Sequence, residues 1–312
     1  MNLMTKEKPY NTLNAFYREK FGKKVFKVSL NGDFTCPNLD GTKGTGGCIY
    51  CSESGSGDFA GDKKDSLAKQ FKQVRDMMSR KWKDAYYIAY FQANTSTYGP
   101  IEKLRRLYYE AISLDPNIVG LSIATRCDAF DDEIYDLLEE LNEITDLQIE
   151  LGLQSIHEKT SEFINRAHSL DCFTEAVKEL RKRNINVVVH IINGFHIETK
   201  EDMLETVKFI NNIDIQGVKI HLLHIMKKTK LGHMYLKEPF KVLTLKEYVD
   251  IVVNQIEILN PNIIIHRITG DSPKELLIEP QWSLKKFVVM NEIDKELRRK
   301  NSYQGIKYKS EV

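Results

Sequence analysis

Short apolar runs rich in β-branched residues alternate with longer amphipathic segments along most of the chain, and this alternation limits the possible folds more than any other feature. The runs that predict strands are 25–31, 85–92, 118–124, 147–153, 186–193 and 217–224. Between them, segments such as 64–81 and 131–142 repeat apolar residues at helical spacing. Six consecutive strand–helix units predict an α/β fold built on a parallel sheet.

The length of the chain and its lack of linker-like segments favour one barrel-sized domain. Its 312 residues, of which 42% are hydrophobic, suffice for a large core. We predict an N-terminal extension over 1–24, the strand–helix series over 25–240, and a C-terminal extension of helices and strands over 241–312 that packs on the series. No segment reads as a secretory signal or a membrane span, so we expect a cytoplasmic protein without membrane contact.

Three cysteines lie in the glycine-rich segment after the first predicted strand, spaced Cys-x11-Cys-x2-Cys: Cys36, Cys48 and Cys51. Thiolates are the usual protein ligands of iron–sulfur clusters. Three of them can hold three irons of a 4Fe-4S cluster and leave the fourth iron open to a substrate or cofactor. The pattern therefore predicts a cluster site.

Two other interpretations of these cysteines remain open. A structural zinc ion takes four ligands, usually close in sequence, and the next candidates, Cys127 and His157, are distant. The thiols could also be inert. Disulfides fit poorly, since five cysteines without a secretory segment are typical of a reducing compartment. Only Cys127 and Cys172 remain outside the triad, too few for a second cluster held by cysteines alone.

Polar side chains gather where the predicted strands end, which is the edge at which parallel α/β sheets bind ligands. These candidate site residues are Gln92, Asn94, Thr95, Arg126, Glu150, Gln154, His190 and Asn193. A single polar residue at a strand end is more often a turn or cap residue, but several ends that converge on one rim predict a pocket. The sixth predicted strand adds His221 and His224; these two and His190 could equally be core or rim groups, and we assign them no proton transfer.

Charge is distributed unevenly, although the net charge is only +1. Residues 128–150 carry ten acidic side chains and no lysine or arginine, whereas both ends of the chain are basic. The basic residues are Lys6, Lys8, Arg18, Lys20, Lys23, Lys24 and Lys27 near the start, and Lys285, Lys286, Lys295, Arg298, Arg299, Lys300, Lys307 and Lys309 near the end. If the two ends fold together, they could form a phosphate-contacting patch; ordinary solvated faces are the alternative.

With a cysteine loop on the first of six strand–helix units, the chain resembles the radical S-adenosylmethionine superfamily, which implies a partial (β/α)6 barrel. The usual motif there is Cys-x3-Cys-x2-Cys with an aromatic residue before the last cysteine, a place that Tyr50 occupies. The wider first gap and the segments 150–155 and 165–168 are similar to the branch of the Elongator catalytic subunit. The segments 90–98, 124–128, 266–271 and 280–286 resemble the bacterial YtqA/YhcC group, also called MnmL-like.

The resemblance implies the cofactors and a role for each matched residue. Cys36, Cys48 and Cys51 would hold a 4Fe-4S cluster whose open iron binds S-adenosylmethionine. The cofactor contacts would be Tyr50, Gln92, Asn94, Thr95, Arg126, Gln154, Arg166, His190 and Asn193, and the catalytic residues Arg126, Glu150, Gln154 and Arg166. One electron from a donor such as flavodoxin or ferredoxin would cleave S-adenosylmethionine to methionine and a 5′-deoxyadenosyl radical, which abstracts a hydrogen atom.

For this group the resemblance implies tRNA as the partner, with a wobble uridine trimmed from the 5-carboxymethylaminomethyl to the 5-aminomethyl form. The candidate phosphate contacts are then Arg267, Lys285, Lys286, Arg298 and Arg299. Two alternatives stay open: a radical enzyme that acts on a small molecule or a protein, and an iron–sulfur or zinc protein without turnover.

Overall fold

A computed structural model describes residues 2–309 except 53, 54, 56, 58 and 59. Seven parallel strands form its main sheet, in the order β1-β2-β3-β4-β5-β6-β8, and a short antiparallel pair, β7 with β9, stands apart. The strands are β1 Lys24–Leu30, β2 Ala85–Phe91, β3 Ile118–Thr125, β4 Asp146–Gln154, β5 Asn186–Asn193, β6 Gly217–Leu222, β7 Ile225–Met226, β8 Ile264–Arg267 and β9 Leu277–Glu279. The six predicted strands are all present.

Ten α-helices and one 3-10 turn are found in the described part of the chain. They are α1 Leu13–Phe21, α2 Leu67–Ser79, α3 Ile101–Ser113, α4 Asp132–Ile144, α5 Glu158–Phe163, α6 Leu170–Lys182, α7 Lys200–Asn211, α8 Lys230–Lys237, α9 Leu245–Ile258, α10 Lys286–Arg299, and the 3-10 turn Gln281–Leu284. The helix predicted over 64–81 spans only Leu67–Ser79. It begins at Leu67 because Ser66 is its N-cap, with a side chain that accepts a hydrogen bond from the backbone N–H of Lys69. None of these helices is long and apolar enough to cross a membrane.

The main sheet is curled into a half-barrel, as the contacts across its concave face show. Lys27 on β1 and Lys219 on β6 both form ion pairs with Glu150 on β4. In a flat sheet β1 would lie about 14 Å from β4, beyond the reach of a lysine side chain. The curl therefore brings side chains from the edge strand β1 and from β6, next to the other edge, to one point, and the partial-barrel prediction is confirmed.

A seventh strand and the first helix close much of the gap that the curled sheet leaves. Strand β8 extends the sheet beside β6, although it belongs to the segment predicted as a C-terminal extension. Thr12 forms a parallel bridge with Ile265 of β8, and the helix that follows, α1, packs against both β1 and β8. The buried phenol of Tyr17 on α1 accepts a hydrogen bond from Gln148 at the start of β4, so α1 covers the amino-terminal end of the barrel.

The two chain ends fold together at that same amino-terminal end. Lys8 and Tyr10 contact Asp294 on α10, and Arg298 donates a hydrogen bond to the backbone carbonyl of Glu7. Helix α10 is about 20 Å long, and its other end lies where Lys286 pairs with Asp271. Arg298 and Arg299 are thus far from Lys286, and the expected single basic patch is instead divided between the two ends of α10.

Candidate functional site

A cavity of about 320 Å³ opens at the carboxyl ends of the parallel strands, and residues from the cysteine loop and from β2 to β8 line it. It brings together nearly all the candidate site residues: Cys36, Cys48, Cys51, Tyr50, Gln92, Asn94, Thr95, Arg126, Glu150, Gln154, Arg166 and His190. This edge is where an α/β sheet can bind a ligand without disturbing its core. The sequence-based grouping of these residues therefore corresponds to one cavity.

Asn193 is the candidate that the structure does not bring to the cavity. Its amide is buried and forms two reciprocal hydrogen bonds with Gln255 on α9, at 2.8 and 2.9 Å. Each of the two amides donates one hydrogen bond to the other and accepts one from it, so the pair fixes α9 against β5. The position of Asn193 at the last residue of β5 was right, but its side chain faces the helix layer.

The cysteine loop is held in place by two asparagine side chains. The buried Asn38 donates a hydrogen bond to the backbone carbonyl of Asn165 at 2.7 Å and lies 3.6 Å from the Cys48 sulfur. Asn165 in turn donates to the carbonyls of Thr45 and Gly47 at 3.0 and 2.8 Å. Because these bonds bracket Cys48 on both sides, they fix its sulfur against the wall of the cavity.

Helix α8 supports the same loop from the other side. The backbone N–H of Leu231 donates to the carbonyl of Ile49 at 2.9 Å. The helix can approach this closely because Gly232 lacks a side chain: a Cβ atom there would lie 2.0 Å from the carbonyl oxygen of Met226. The loop position thus depends on a tight backbone contact between α8 and β7.

We expect Gly232→Ala to lower the free energy of unfolding by about 1–3 kcal/mol, as overpacking does, and to reduce the iron retained per chain. Gly99→Ala is the matched control, since a Cβ at Gly99 would meet its nearest atom at an ordinary 3.9 Å. Urea unfolding and iron analysis measure both variants. Equal behaviour of the two variants would contradict the role assigned to α8.

The spacing of the three sulfurs favours a cluster over a single zinc ion. In a tetrahedral zinc site the thiolate sulfurs lie about 3.8 Å apart, given Zn–S bonds of about 2.3 Å. Among the described residues, the one set of three ligand atoms that all lie within 4.8 Å of one another is that of His157, Asp202 and Glu205. Cys48 and Cys51 are close enough to share a hydrogen bond, but the sulfurs of Cys36, Cys48 and Cys51 do not all lie within 4.8 Å of one another, which is wider than three ligands of one zinc ion require.

The electrostatic surroundings of the cysteine loop favour a thiolate at Cys48. A hydrogen bond from Cys51, opposed by burial, lowers the pKa of Cys48 to about 6, and the guanidinium of Arg126 contributes in the same direction. The same hydrogen bond and burial raise the pKa of Cys51, since the two sulfurs share one proton. A cation bound by both would displace that proton, because metal ions bind the thiolate form.

Two arginines form part of the cavity wall, and each is held by a different set of acceptors. Arg126 makes a bidentate pair with Asp128 at 2.8 and 2.7 Å. Arg166, the largest fully buried side chain, donates to the backbone carbonyls of Leu153 and Ser155 at 2.6 Å. It carries its charge without a carboxylate partner among the described residues, so it fixes the end of β4 and adds positive potential beside the cysteines.

Two rim residues adopt the left-handed backbone conformation that non-glycine residues rarely adopt. Asn94, after β2, has φ of 60° and donates to the carbonyl of Phe34 at 3.0 Å. Gln154, at a bulge at the end of β4, has φ of 66°. Strained backbone of this kind concentrates at ligand sites, and here both residues line the cavity.

Below the rim, the buried carboxylate of Glu150 accepts hydrogen bonds from five side chains on five other strands. Tyr90, Ser122 and His190 donate at 2.8, 2.9 and 2.8 Å, and the ammonium groups of Lys27 and Lys219 complete the set. We name these six residues the floor cluster. They form one polar layer inside the half-barrel, where most barrels have apolar side chains.

Ionisation in the floor cluster is shifted strongly. Burial alone would raise the pKa of Glu150, but Lys219 and Lys27 hold it well below its ordinary value. Burial lowers the pKa of Lys219 to about 7, against the opposing effect of Glu150. Burial and the charge of Lys219 lower the pKa of His190 to about 4, so this imidazole is neutral near pH 7 and donates from Nε2 to the carboxylate.

Sequence reasoning missed the two lysines of the floor cluster. Lys27 was grouped with the basic N-terminal surface, but its side chain is only 15% exposed and its ammonium group lies inside the barrel. Lys219 was not singled out, and it is 9% exposed. Each stands alone among apolar residues in the middle of a predicted buried strand. That placement is the signal that could have identified them, because an isolated buried charge requires a partner.

Family models match most of the chain: the radical SAM superfamily over residues 41–210 and the radical SAM C-terminal domain over 215–299. YtqA of Bacillus subtilis (strain 168) is 51% identical over 299 residues, which cover 96% of this chain and 92% of YtqA. YhcC of Escherichia coli (strain K12) is 33% identical over 295 residues, which cover 94% of each protein. Both relatives thus match along nearly their whole length.

More distant relatives share the fold. The archaeal Methanocaldococcus infernus Elp3 with an N-terminal deletion superposes with a TM-score of 0.66 at 18% identity, covering 90% of this chain and 64% of that one. A tRNA uridine(34) acetyltransferase of the same organism is 25% identical over 167 residues, which are 52% of this chain and 30% of that protein. The chain belongs to the radical S-adenosylmethionine superfamily, in the group that includes YtqA and YhcC.

Proposed function

We propose that this protein is a radical enzyme that trims the wobble uridine of tRNA from the 5-carboxymethylaminomethyl to the 5-aminomethyl form. The observation that carries the proposal is a cavity in which three cysteines face a cation-rich floor at the carboxyl ends of a half-barrel. The relation to a tRNA uridine(34) acetyltransferase supports the choice of substrate. A low-potential donor of the flavodoxin or ferredoxin type would supply the electron.

Cys36, Cys48 and Cys51 would hold the 4Fe-4S cluster, and the rim of the cavity would hold S-adenosylmethionine. Once bound, these two groups supply a carbon radical that can abstract an unactivated hydrogen atom. The protein contributes position and exclusion of water. Tyr50 packs 6.2 Å from Phe195 between ring centroids and would offer a ring face to the adenine, and Asn94 and Gln154 would contact the amino-acid part.

The proposed reaction balances with one water molecule. Loss of a hydrogen atom from the methylene between amine and carboxylate, followed by loss of one electron and one proton, leaves an imine. Hydrolysis of this imine gives the aminomethyl group and glyoxylate. The hydrogen atom would end in 5′-deoxyadenosine, and the released electron would balance the one used to cleave S-adenosylmethionine. We therefore expect glyoxylate and 5-aminomethyluridine in equal amounts.

The mouth of the cavity carries a surface that suits an RNA loop. Lys286 pairs with Asp271 at 2.7 Å, and Asp271 lines the cavity. The next residue, Phe287, is 77% exposed, and Lys285 before it is exposed as well. An exposed aromatic ring next to two basic side chains offers a stacking platform for an unpaired base and contacts to its phosphates.

We expect Phe287→Ala to weaken tRNA binding by about 1–3 kcal/mol, the range for loss of one base–aromatic stack. Tyr303→Ala is the control, because Tyr303 is 48% exposed but lies beside Gln304, which contacts Pro9 and Ile263 at the other end of the barrel. Anaerobic titrations of fluorescent tRNA at several salt concentrations measure both. An equal loss of tRNA affinity in both variants would contradict a specific contact between the RNA and Phe287.

Mass spectrometry of nucleosides from bulk tRNA tests the proposed function in the cell. A strain that lacks the gene should accumulate the 5-carboxymethylaminomethyl form, and the wild-type gene should restore the 5-aminomethyl form or its derivatives. A gene encoding Cys48→Ser should not restore it. An unchanged nucleoside profile in the deletion strain would refute the tRNA substrate and leave the radical chemistry to act on another molecule.

A further inference from the structure

The floor cluster contains more positive than negative charge. Glu150 is its one carboxylate, and it is shared by the ammonium groups of Lys27 and Lys219. The other three members, Tyr90, Ser122 and His190, are neutral near pH 7. Buried charges in proteins are normally paired. One excess positive charge in the interior is therefore unbalanced among the described residues.

The same imbalance recurs one layer closer to the mouth. Asp271 is shared by Arg267 at 3.4 Å and Lys286 at 2.7 Å. Arg267, at the end of β8, lines the cavity together with Lys219, whereas Lys27 does not line it. On the β6–β8 side of the cavity, away from Arg126 and Arg166, the cations that line it are thus Lys219 and Arg267, and the carboxylates that oppose them there are Glu150 and Asp271.

Two imidazole nitrogens beside these cations also lack partners. Nε2 of His221, whose ring centroid lies 5.2 Å from that of His190, and Nε2 of His224 are buried without a hydrogen bond. Both histidines line the cavity. Buried polar atoms are nearly always bonded, so their lack of partners indicates that a polar ligand belongs here.

We propose that Lys219 and Arg267 form an anion subsite that binds a carboxylate of the substrate. They belong to β6 and β8, at the edge of the sheet opposite the strand that leads into the cysteine loop. S-adenosylmethionine bound near the cysteines would leave this side of the cavity to the substrate. That the anion is the carboxymethyl arm of the modified uridine rests on the proposed function; the subsite itself rests on the charges and geometry of the cavity.

The subsite should be sensitive to pH, since Lys219 is the cation with the lowered pKa, about 7. The groups that face it are Glu150, Tyr90, Lys27, His190, His221 and Arg267. Glu150 is the one carboxylate in this set, so no further acidic side chain there stabilises the charged form of Lys219. Anion affinity should therefore be highest below pH 7 and fall as the pH rises above 7, because Lys219 then loses its proton.

Thermal unfolding with small anions tests the subsite without tRNA. At equal ionic strength, acetate should raise the Tm of the reconstituted wild-type protein more at pH 6 than at pH 8, and should raise it less for Lys219→Met and Arg267→Gln. Inorganic phosphate with the larger effect would assign the subsite to a phosphate and overturn the carboxylate. No anion effect, or equal effects in wild type and variants, would overturn the subsite even if tRNA is processed.

Lys219→Met should fold, because it leaves Lys27 and Glu150 as a balanced pair; its free energy of unfolding should match or exceed that of the wild type. Lys246→Met on the exposed face of α9 is the matched control. Binding of 5-carboxymethylaminomethyluridine should weaken about 10- to 100-fold in Lys219→Met but not in the control, whereas the uncharged methyl ester should bind both alike. A weakened affinity for S-adenosylmethionine instead would show that the anion is the cofactor's carboxylate and overturn the proposal.

Discussion

Cys48→Ser abolishes reductive cleavage of S-adenosylmethionine and most iron binding; this is the largest effect that we expect. Cys48 is anchored by Asn38 and lies beside Cys51, so its loss removes one of only three thiolates at the cavity. Serine keeps the size of the side chain but is a poor ligand for iron. Iron and sulfide analysis, the visible absorption of the reconstituted protein, and 5′-deoxyadenosine formation measure the loss.

Cys172→Ser is the matched control for this experiment. Cys172 is partly exposed on α6 and does not line the cavity. It contacts Cys127, and a hydrogen bond from that thiol lowers the pKa of Cys172 to about 7. The control variant should keep the iron content and activity of the wild type. A Cys48→Ser protein that still cleaves S-adenosylmethionine would refute the assignment of the cysteine triad.

Glu150→Gln should destabilise the fold by about 3–5 kcal/mol, the cost of removing one partner of a buried ion pair. The substitution preserves shape but leaves the ammonium groups of Lys27 and Lys219 buried without a carboxylate. Guanidinium unfolding followed by circular dichroism measures the difference. Adding Lys219→Met to Glu150→Gln should restore part of the stability, because it removes one of the unpaired charges. A double variant less stable than Glu150→Gln would contradict this account.

The pH dependence of stability should follow from the same residue. The pKa of Glu150 is lower in the folded protein than in the unfolded chain, so its stabilising contribution is complete above the unfolded value of about 4.3 and is lost as the pH falls through the folded value. Glutamine does not titrate. The stability gap between wild type and Glu150→Gln should therefore narrow in acid, where Glu150 takes up a proton.

The strand pattern was predictable because each strand buries a local apolar run. The seventh strand was not, since Ile264–Arg267 is only four residues long and gains its stability from neighbours distant in the sequence. Helix ends were predictable where a cap is local: the reciprocal capping boxes of Thr199 with Asp202 and Thr244 with Glu247 are both present.

The strand-end residues of the site could be predicted from the sequence, but the floor cluster below them could not. Strand ends share one edge in any parallel sheet, so Gln92, Arg126 and Gln154 could be grouped without knowing the curl. The floor cluster depends on the curl itself, which brings β1 and β6 to Glu150. Likewise, a strand-end position cannot show which layer a side chain faces, as the pairing of Asn193 with Gln255 illustrates.

One anaerobic assay tests the central claim most directly. The reconstituted protein is incubated with S-adenosylmethionine, a strong reductant and tRNA from the deletion strain, and 5′-deoxyadenosine, 5-aminomethyluridine and glyoxylate are measured together. We predict that all three form in equal amounts and that none forms with Cys48→Ser. Formation of 5′-deoxyadenosine with unchanged tRNA would refute the proposed substrate, and the absence of 5′-deoxyadenosine from a protein with a full cluster would contradict the radical chemistry.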